Sequence, residues 1–173
     1  MTRTYPDDPA DAFPRPPRTI TDGEGREIEV VAADATDTEA LVEMYLDFNP
    51  EDRAQGIPPV KDEAIRKWLD VILDDECLNV VARHEGDAVG HATLVPDNED
   101  EQELAIFVLQ AYQGAGIGTA LVRTLLGHGQ DQGVGKVWLT VERWNEPAIA
   151  LYEKVGFETS NTESFEVEMA IRL

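Results

Sequence analysis

Leu104-Ala-Ile-Phe-Val108-Leu-Gln-Ala-Tyr112-Gln113-Gly114-Ala115-Gly116-Ile117-Gly118-Thr119-Ala-Leu-Val122 passes from an unbroken apolar run, through a glycine cluster, into a second apolar stretch. The first run reads as a strand buried on both faces, hence central to a sheet. The second reads as a helix from about Gly116 to Gly127. Where the two meet, unpaired backbone N–H groups converge with the positive end of the helix dipole, a geometry that binds phosphate oxygens. Glycines at 114, 116 and 118 let the main chain approach a pyrophosphate without a Cβ in the way, and no lysine follows them. Backbone amides are therefore expected to carry the anion. A P-loop needs Gly-Lys-Ser/Thr after a four-residue gap, which is missing. The dinucleotide fingerprint needs G-x-G-x-x-G after the first strand of its unit, whereas the spacing here is G-x-G-x-G and other elements come first.

Upstream, Glu27-Ile-Glu-Val-Val-Ala alternates as a strand does, and Thr36-x-x-Glu39 has capping-box spacing ahead of Leu41, Val42, Met44, Tyr45 and Phe48 at helical intervals. Ile65, Trp68, Leu69 and Ile72 line one face of a second helix. Leu78 to Arg83 and Ala88 to Val95 read as strands joined through Glu85-Gly-Asp87, and the acidic run from Asp97 to Glu101 reads as a solvated loop. Downstream, Val137 to Val141 gives another buried strand. Asn145 and Pro147 open a helix that Gly156 closes, and Phe165 to Ile171 alternates as a half-buried antiparallel strand. The order is β-α-α-β-β-β-α-β-α-β, with room for a short strand near Phe157 to Thr159. An α/β (α+β) fold follows, a mixed sheet of about six or seven strands with helices on both faces.

With 173 residues the chain suffices for one domain. Residues 1–25 are proline-rich and acidic at their start and have little to bury, so they are expected to form a disordered or extended leader to a domain at 26–173. Asp plus Glu outnumber Lys plus Arg by 35 to 14, for a formal charge of −21 spread along the chain. The lysines are Lys61, Lys67, Lys136 and Lys154. A carboxylate-rich, lysine-poor surface suits solubility in high salt and points to a halophilic source. The same charge argues against nucleic acid and anionic membranes as partners. No apolar run has the length of a spanning helix and no secretory signal is evident, so a cytoplasmic location is expected. Cys77 is the sole cysteine, which excludes an internal disulfide, and metal-ligand spacing is absent, so no metal is expected.

Val108-x-x-x-Tyr112-Gln113-Gly-Ala-Gly116-Ile-Gly118-Thr resembles the Q/R-x-x-G-x-G/A coenzyme-A segment of the GNAT superfamily of acetyl-CoA-dependent N-acetyltransferases. Farther on, Asn145-Glu-Pro-Ala-Ile-Ala-Leu-Tyr152-Glu-Lys-Val-Gly156-Phe157 is similar to that family's second signature, N-x-x-A-x-x-x-Y-x-x-x-G-F. The two signatures stand in the family's order and separation, and the resemblance covers Glu27 to Leu173. It implies a centrally splayed sheet and acetyl-CoA as acyl donor. The pantetheine arm is implied alongside Phe107, Val108 and Leu109, and the pyrophosphate on Gln113, Gly114, Ala115, Gly116, Ile117, Gly118 and Thr119, with Asn145 and Tyr152 completing the site.

Acetyl transfer to an amine needs a neutral nucleophile, a polarised thioester carbonyl and a proton for the departing thiolate. The resemblance makes Tyr152 the general acid. Asn145, seven residues earlier on the same helix face, reads in its own right as the N-cap. Glu103, polar at the head of an apolar strand, is the candidate base, with Glu101 as a poorer alternative. His84, His91 and His128 look isolated and receive no role. The expected activity is transfer of an acetyl group to a primary amine by direct attack. The alternative is a non-catalytic acyl-CoA-binding module on the same fold. The acceptor, a small molecule or a protein lysine, is not read from the sequence, although Asn49-Pro-Glu-Asp-Arg53 faintly resembles a segment of lysine-acetylating GNAT domains. A homodimer stays open.

Overall fold

A computed structural model of the chain describes residues 3–48, 57–97, 100–163 and 165–173. The Asn49 to Arg53 segment therefore lies outside the described residues. Eight strands form one sheet in the order β1-β2-β3-β4-β5-β6-β8-β7. They are β1 (Arg18–Thr21), β2 (Glu27–Ala32), β3 (Leu78–His84), β4 (Asp87–Pro96), β5 (Glu101–Val108), β6 (Lys136–Glu142), β7 (Glu158–Thr162) and β8 (Glu166–Arg172). The helices are α1 (Thr38–Leu46), α2 (Asp62–Ile72), α3 (Ile117–Asp131) and α4 (Glu146–Val155). None of the described helices is long and apolar enough to cross a membrane.

Alternation along the strands builds two cores. Val80 and Ala82 of β3 point to the face covered by α3 and α4, where Ile117, Leu121, Leu125, Leu139 and Met169 are fully or almost fully buried. Val81, between them, points to the other face and packs with Leu41, Tyr45, Ile65 and Leu69 of α1 and α2. Helices thus cover both faces, as the sequence predicts.

All neighbouring strands are antiparallel except β5 and β6, which run parallel and pair only through Glu101↔Lys136, Gln102↔Val137 and Glu103↔Trp138. Beyond Glu103 the two strands part. Leu104 to Val108 stays bound to β4 on its other edge, from Leu94↔Leu104 to Gly90↔Val108. A wedge therefore opens in the middle of the sheet.

The N-terminal segment corrects the expected boundary near Arg26, which falls inside a hairpin. β1 pairs with β2 from Arg18↔Val30 to Thr21↔Glu27. Before it, Ala10 N–H donates to Arg172 O at 2.7 Å and Phe13 N–H to Gln130 Oε1 at 2.8 Å. Pro14 O lies so close to α3 that a Cβ at Gly127 would meet it at 1.9 Å. Arg3 stacks 3.6 Å from the Trp138 ring centre and pairs with Asp97, Glu101 and Glu168. These contacts, some from backbone and some from side chains, join residues far apart in the sequence, so composition does not reveal them.

Two smaller differences have local causes. The capping box lies at Asp34 and Asp37, two residues before the expected Thr36 and Glu39, and opens a 3-10 turn ahead of α1. Arg83 holds the Asp37 carboxylate there. The run from Asp97 to Glu101 is not loop throughout, because β5 begins at Glu101, whose carboxylate Arg3 engages at 3.2 Å.

His91 is not isolated. Fully buried on β4, it takes the Tyr45 hydroxyl on Nδ1 at 2.6 Å and donates from Nε2 to Asn79 Oδ1 at 2.7 Å, while Asn79 Nδ2 donates to Ile72 O at 2.8 Å. The chain of donors fixes one neutral tautomer and joins α1, β4, β3 and α2. Burial pushes the imidazole pKa from 6.5 down to about 3. Because the unfolded chain binds that proton more tightly, the stability this group contributes is present above pH 6.5 and lost as pH falls toward about 3. Thermal melts across that window are expected to show a falling Tm for the parent and a flatter profile for His91→Gln, which starts less stable.

Candidate active site

The wedge between β5 and β6 continues into a cleft of about 810 Å³. Its walls are β5 from Glu103 to Val108, β6 from Thr140 to Glu142, the glycine turn and α4. Of the residues singled out in the sequence, Glu103, Phe107, Val108, Gln113, Gly114, Gly116, Gly118, Thr119, Asn145 and Tyr152 line it together. Leu109, Ala115 and Ile117 do not. Ile117 is fully buried in the core, Leu109 packs between the two cores, and Ala115 is buried with its carbonyl taken by Gly23 N–H at 2.8 Å. These three serve by packing the turn, not by facing the cleft with their side chains.

The turn is held from several sides. Gln113 Nε2 donates to Val108 O at 3.0 Å, closing the end of β5 over the turn. Arg26 stacks 4.2 Å from the Tyr112 ring centre, and the Tyr112 hydroxyl meets His84 Nδ1 at 2.7 Å, so His84 too is engaged. Asp22 fixes Arg26 through Nε at 2.7 Å. At Gly116 the backbone has φ +90°, ψ 1°, and a Cβ added there would meet nothing within 4 Å. Gly116 is the N-cap of α3 and supplies no side-chain cap, so the first-turn amides of this helix have no side-chain acceptor from that residue. Gly118 has another reason to be glycine: a Cβ there would come 3.1 Å from Leu151 of α4.

On the opposite wall, Asn145 caps α4, its Oδ1 accepting from Ala148 N–H at 3.3 Å, as its position predicts. Tyr152 is 7% exposed, its ring 5.7 Å from that of Phe157. Its hydroxyl has no hydrogen-bond partner among the described residues, and burial raises its pKa above the ordinary tyrosine value. Glu103 reaches solvent, yet protein crowds it enough to raise its pKa. Partial burial is the main cause, followed by the Asp97 carboxylate, against an opposing effect of Arg3. Glu101, the alternative base, is tied to Arg3.

Sequence reading missed Phe48, Ile57, Thr140, Glu142 and Glu166, which also line the cleft. Phe107 carries the apolar part of this wall, with ring centres of Tyr45, Trp68 and Phe48 at 5.7, 5.5 and 6.2 Å. Thr140 and Glu142 fall on the outward phase of β6, a period-2 signal visible in Val137-Trp-Leu-Thr-Val-Glu142 once the strand is placed beside a gap.

Residues 38–157, more than half of the chain, match the model of the acetyltransferase (GNAT) family. The chain belongs to the GNAT family of acetyltransferases. An uncharacterised N-acetyltransferase of Mycobacterium tuberculosis is 32% identical over 100 residues, covering 57% of this chain and 64% of that relative. A mycothiol acetyltransferase of Saccharomonospora viridis is 31% identical over 139 residues, covering 73% of this chain but 44% of its own length. The chain thus spans less than two thirds of either relative. The GNAT domain of PAT from S. lividans has the same fold, with a TM-score of 0.76 over 91% of this chain and 97% of that one at 18% identity. The splayed strand pair and the glycine turn at the head of α3 are where the two GNAT signatures meet in space.

Proposed function

We propose that the chain is an N-acetyltransferase that moves an acetyl group from acetyl-CoA to a primary amine by direct attack. The observation that carries this reading is the sheet wedge running directly into the N-terminus of α3. Gly114 and Gly116 leave open space where a Cβ would stand, and both line the cleft, so the main chain there fits a pyrophosphate. The edge of β5 that parts from β6 beyond Glu103 suits the amides of a pantetheine arm running past Phe107 and Val108, and Asn145 on the facing wall suits its other side.

The bound donor supplies an acetyl group activated as a thioester. Every other part falls to side chains and backbone of the cleft. A main-chain N–H on the free edge of β5 can polarise a carbonyl placed beside it. Tyr152, kept protonated by burial, is suited to donate its phenolic proton to a leaving thiolate. Glu103, at the point where β5 and β6 part, is suited to take a proton from the incoming ammonium, directly or through water.

The Glu103 role has a pH signature. The base must be ionised, and its pKa is raised, so kcat/KM should climb with pH through a limb displaced upward from that of an ordinary glutamate. Glu103→Gln is expected to lower kcat/KM and abolish that limb. A limb that survives the substitution would assign it to another group. The activity itself is tested by calorimetric titration with acetyl-CoA and by CoA release across a panel of amines. Tight binding without turnover on any amine would instead fit an acyl-CoA-binding module.

A further inference from the structure

We infer that the turn of the β1–β2 hairpin is part of the donor site, with Arg26 as a positioning residue that holds the glycine turn in the shape that receives the pyrophosphate. This rests on the acetyl-CoA reading above and deepens it. Residues 22–26 lie outside the stretch that matches the family model, which is residues 38–157.

The glycine turn has little of its own to fix its shape. Gly114 has φ +74° and Gly116 φ +90°, and a Cβ at either would meet nothing within 4 Å. Glycine has the widest backbone freedom of any residue, and freezing it when a ligand arrives costs affinity. The residues around the two glycines are therefore the ones to tie down. Ala115, between them, gives its carbonyl to Gly23 N–H at 2.8 Å. Tyr112 is held between two hairpins. The Arg26 guanidinium lies 4.2 Å from its ring centre, and His84, at the end of β3, meets its hydroxyl at 2.7 Å. Arg26 Nη1 also donates to Ala111 O at 3.4 Å. The β1–β2 hairpin thus grips the turn at Ala111, Tyr112 and Ala115.

Arg26 can grip because it is itself fixed. The Asp22 side chain is fully buried, and its Oδ2 accepts from Arg26 Nε at 2.7 Å. Its Oδ1 accepts from the backbone N–H groups of Glu24 and Arg26, each at 2.9 Å, and Asp22 N–H donates to Arg26 O at 2.9 Å. The entropy of ordering the guanidinium is therefore met when the chain folds, before any donor arrives. Arg26 does not line the cleft, so it acts through the turn and not by touching the donor. Amides that bind an anion do so only while they converge on one point, and the hairpin keeps them converging.

The test compares acetyl-CoA with S-acetylpantetheine, which has the same thioester and arm but neither pyrophosphate nor nucleotide. Dissociation constants are measured by calorimetry, the weaker one by displacement, beside thermal melts. The parent is expected to favour acetyl-CoA. Arg26→Ala is expected to cut that preference about tenfold, the equivalent of ordering about one backbone residue at binding, and to leave the affinity for S-acetylpantetheine as in the parent. Arg26→Lys keeps a charge opposite Asp22 but loses the planar face and the bond to Ala111. It is expected to melt close to the parent and still to lose about threefold of the preference. A purely structural role would lower both affinities together, or lower the melting temperature alone, and either result would overturn the inference. A parent that binds both donors equally well would overturn the reading of the glycine turn as the pyrophosphate cradle, and the inference with it. A parent that prefers acetyl-CoA, with variants that keep the preference, would overturn the inference alone.

Discussion

Tyr152→Phe is expected to lower kcat for acetyl transfer by about a hundredfold, the lower range for loss of a positioned general acid, while acetyl-CoA affinity stays close to that of the parent. The ring is kept, and with it the packing against Phe157 and the core around Val155 and Leu151. What is removed is one hydroxyl that lines the cleft and has no partner among the described residues. That hydroxyl makes no protein hydrogen bond among the described residues, so removing it costs little folding energy and the melting temperature should hold. This separates the chemical role from a structural one, because a packing defect would lower stability and leave the chemical step largely intact. The measurement is single-turnover CoA release beside a thermal melt. A kcat within a factor of about two of the parent would pass the acid role to water and make Tyr152 a packed aromatic.

The same residue shows how far the sequence could be read. Tyr152, Asn145 and the glycines at 114 and 116 are recognisable because each depends on its own few neighbours: a helix face, a cap, a turn that needs φ above zero. The central strand Leu104 to Val108 is equally plain from its unbroken apolar run, although only Leu104 is buried and the residues after it are half-buried along the cleft. β1 was hidden for the opposite reason. Arg18-Thr-Ile-Thr21 is a four-residue edge strand with a single large apolar side chain, and its stability comes from β2. Arg3 at Trp138, and His91 between Tyr45 and Asn79, are meetings of residues distant in sequence, and no local pattern announces them. The carboxylates on the cleft wall fall between these cases. Glu142 and Glu166 alternate correctly on their strands, yet only the cross-strand register places them side by side at a cleft.

Gly116→Val should be the most damaging single change to donor binding. At φ +90° an L side chain is forced into the left-handed region, at a cost of about 1–2 kcal/mol that a β-branched residue meets in full. The fold has room for that cost, because the added Cβ meets nothing within 4 Å and α3 keeps Ile117, Leu121 and Leu125 buried. The open space is nevertheless part of the cleft, at the head of the amides proposed to hold the pyrophosphate. A valine there either fills the anion's place or tilts the turn so that the amides no longer converge. Acetyl-CoA affinity is therefore expected to fall at least about a hundredfold, which is the loss of roughly two charge-assisted hydrogen bonds. Gly116→Ala carries most of the backbone strain with less bulk, so it should lose a similar amount of stability and less affinity. Calorimetry with acetyl-CoA and with desulfo-CoA, read beside melting temperatures, distinguishes the two contributions. If both variants melted alike and bound acetyl-CoA as the parent does, the pyrophosphate would have to sit elsewhere, and the reading of the glycine turn as its cradle would fail with it.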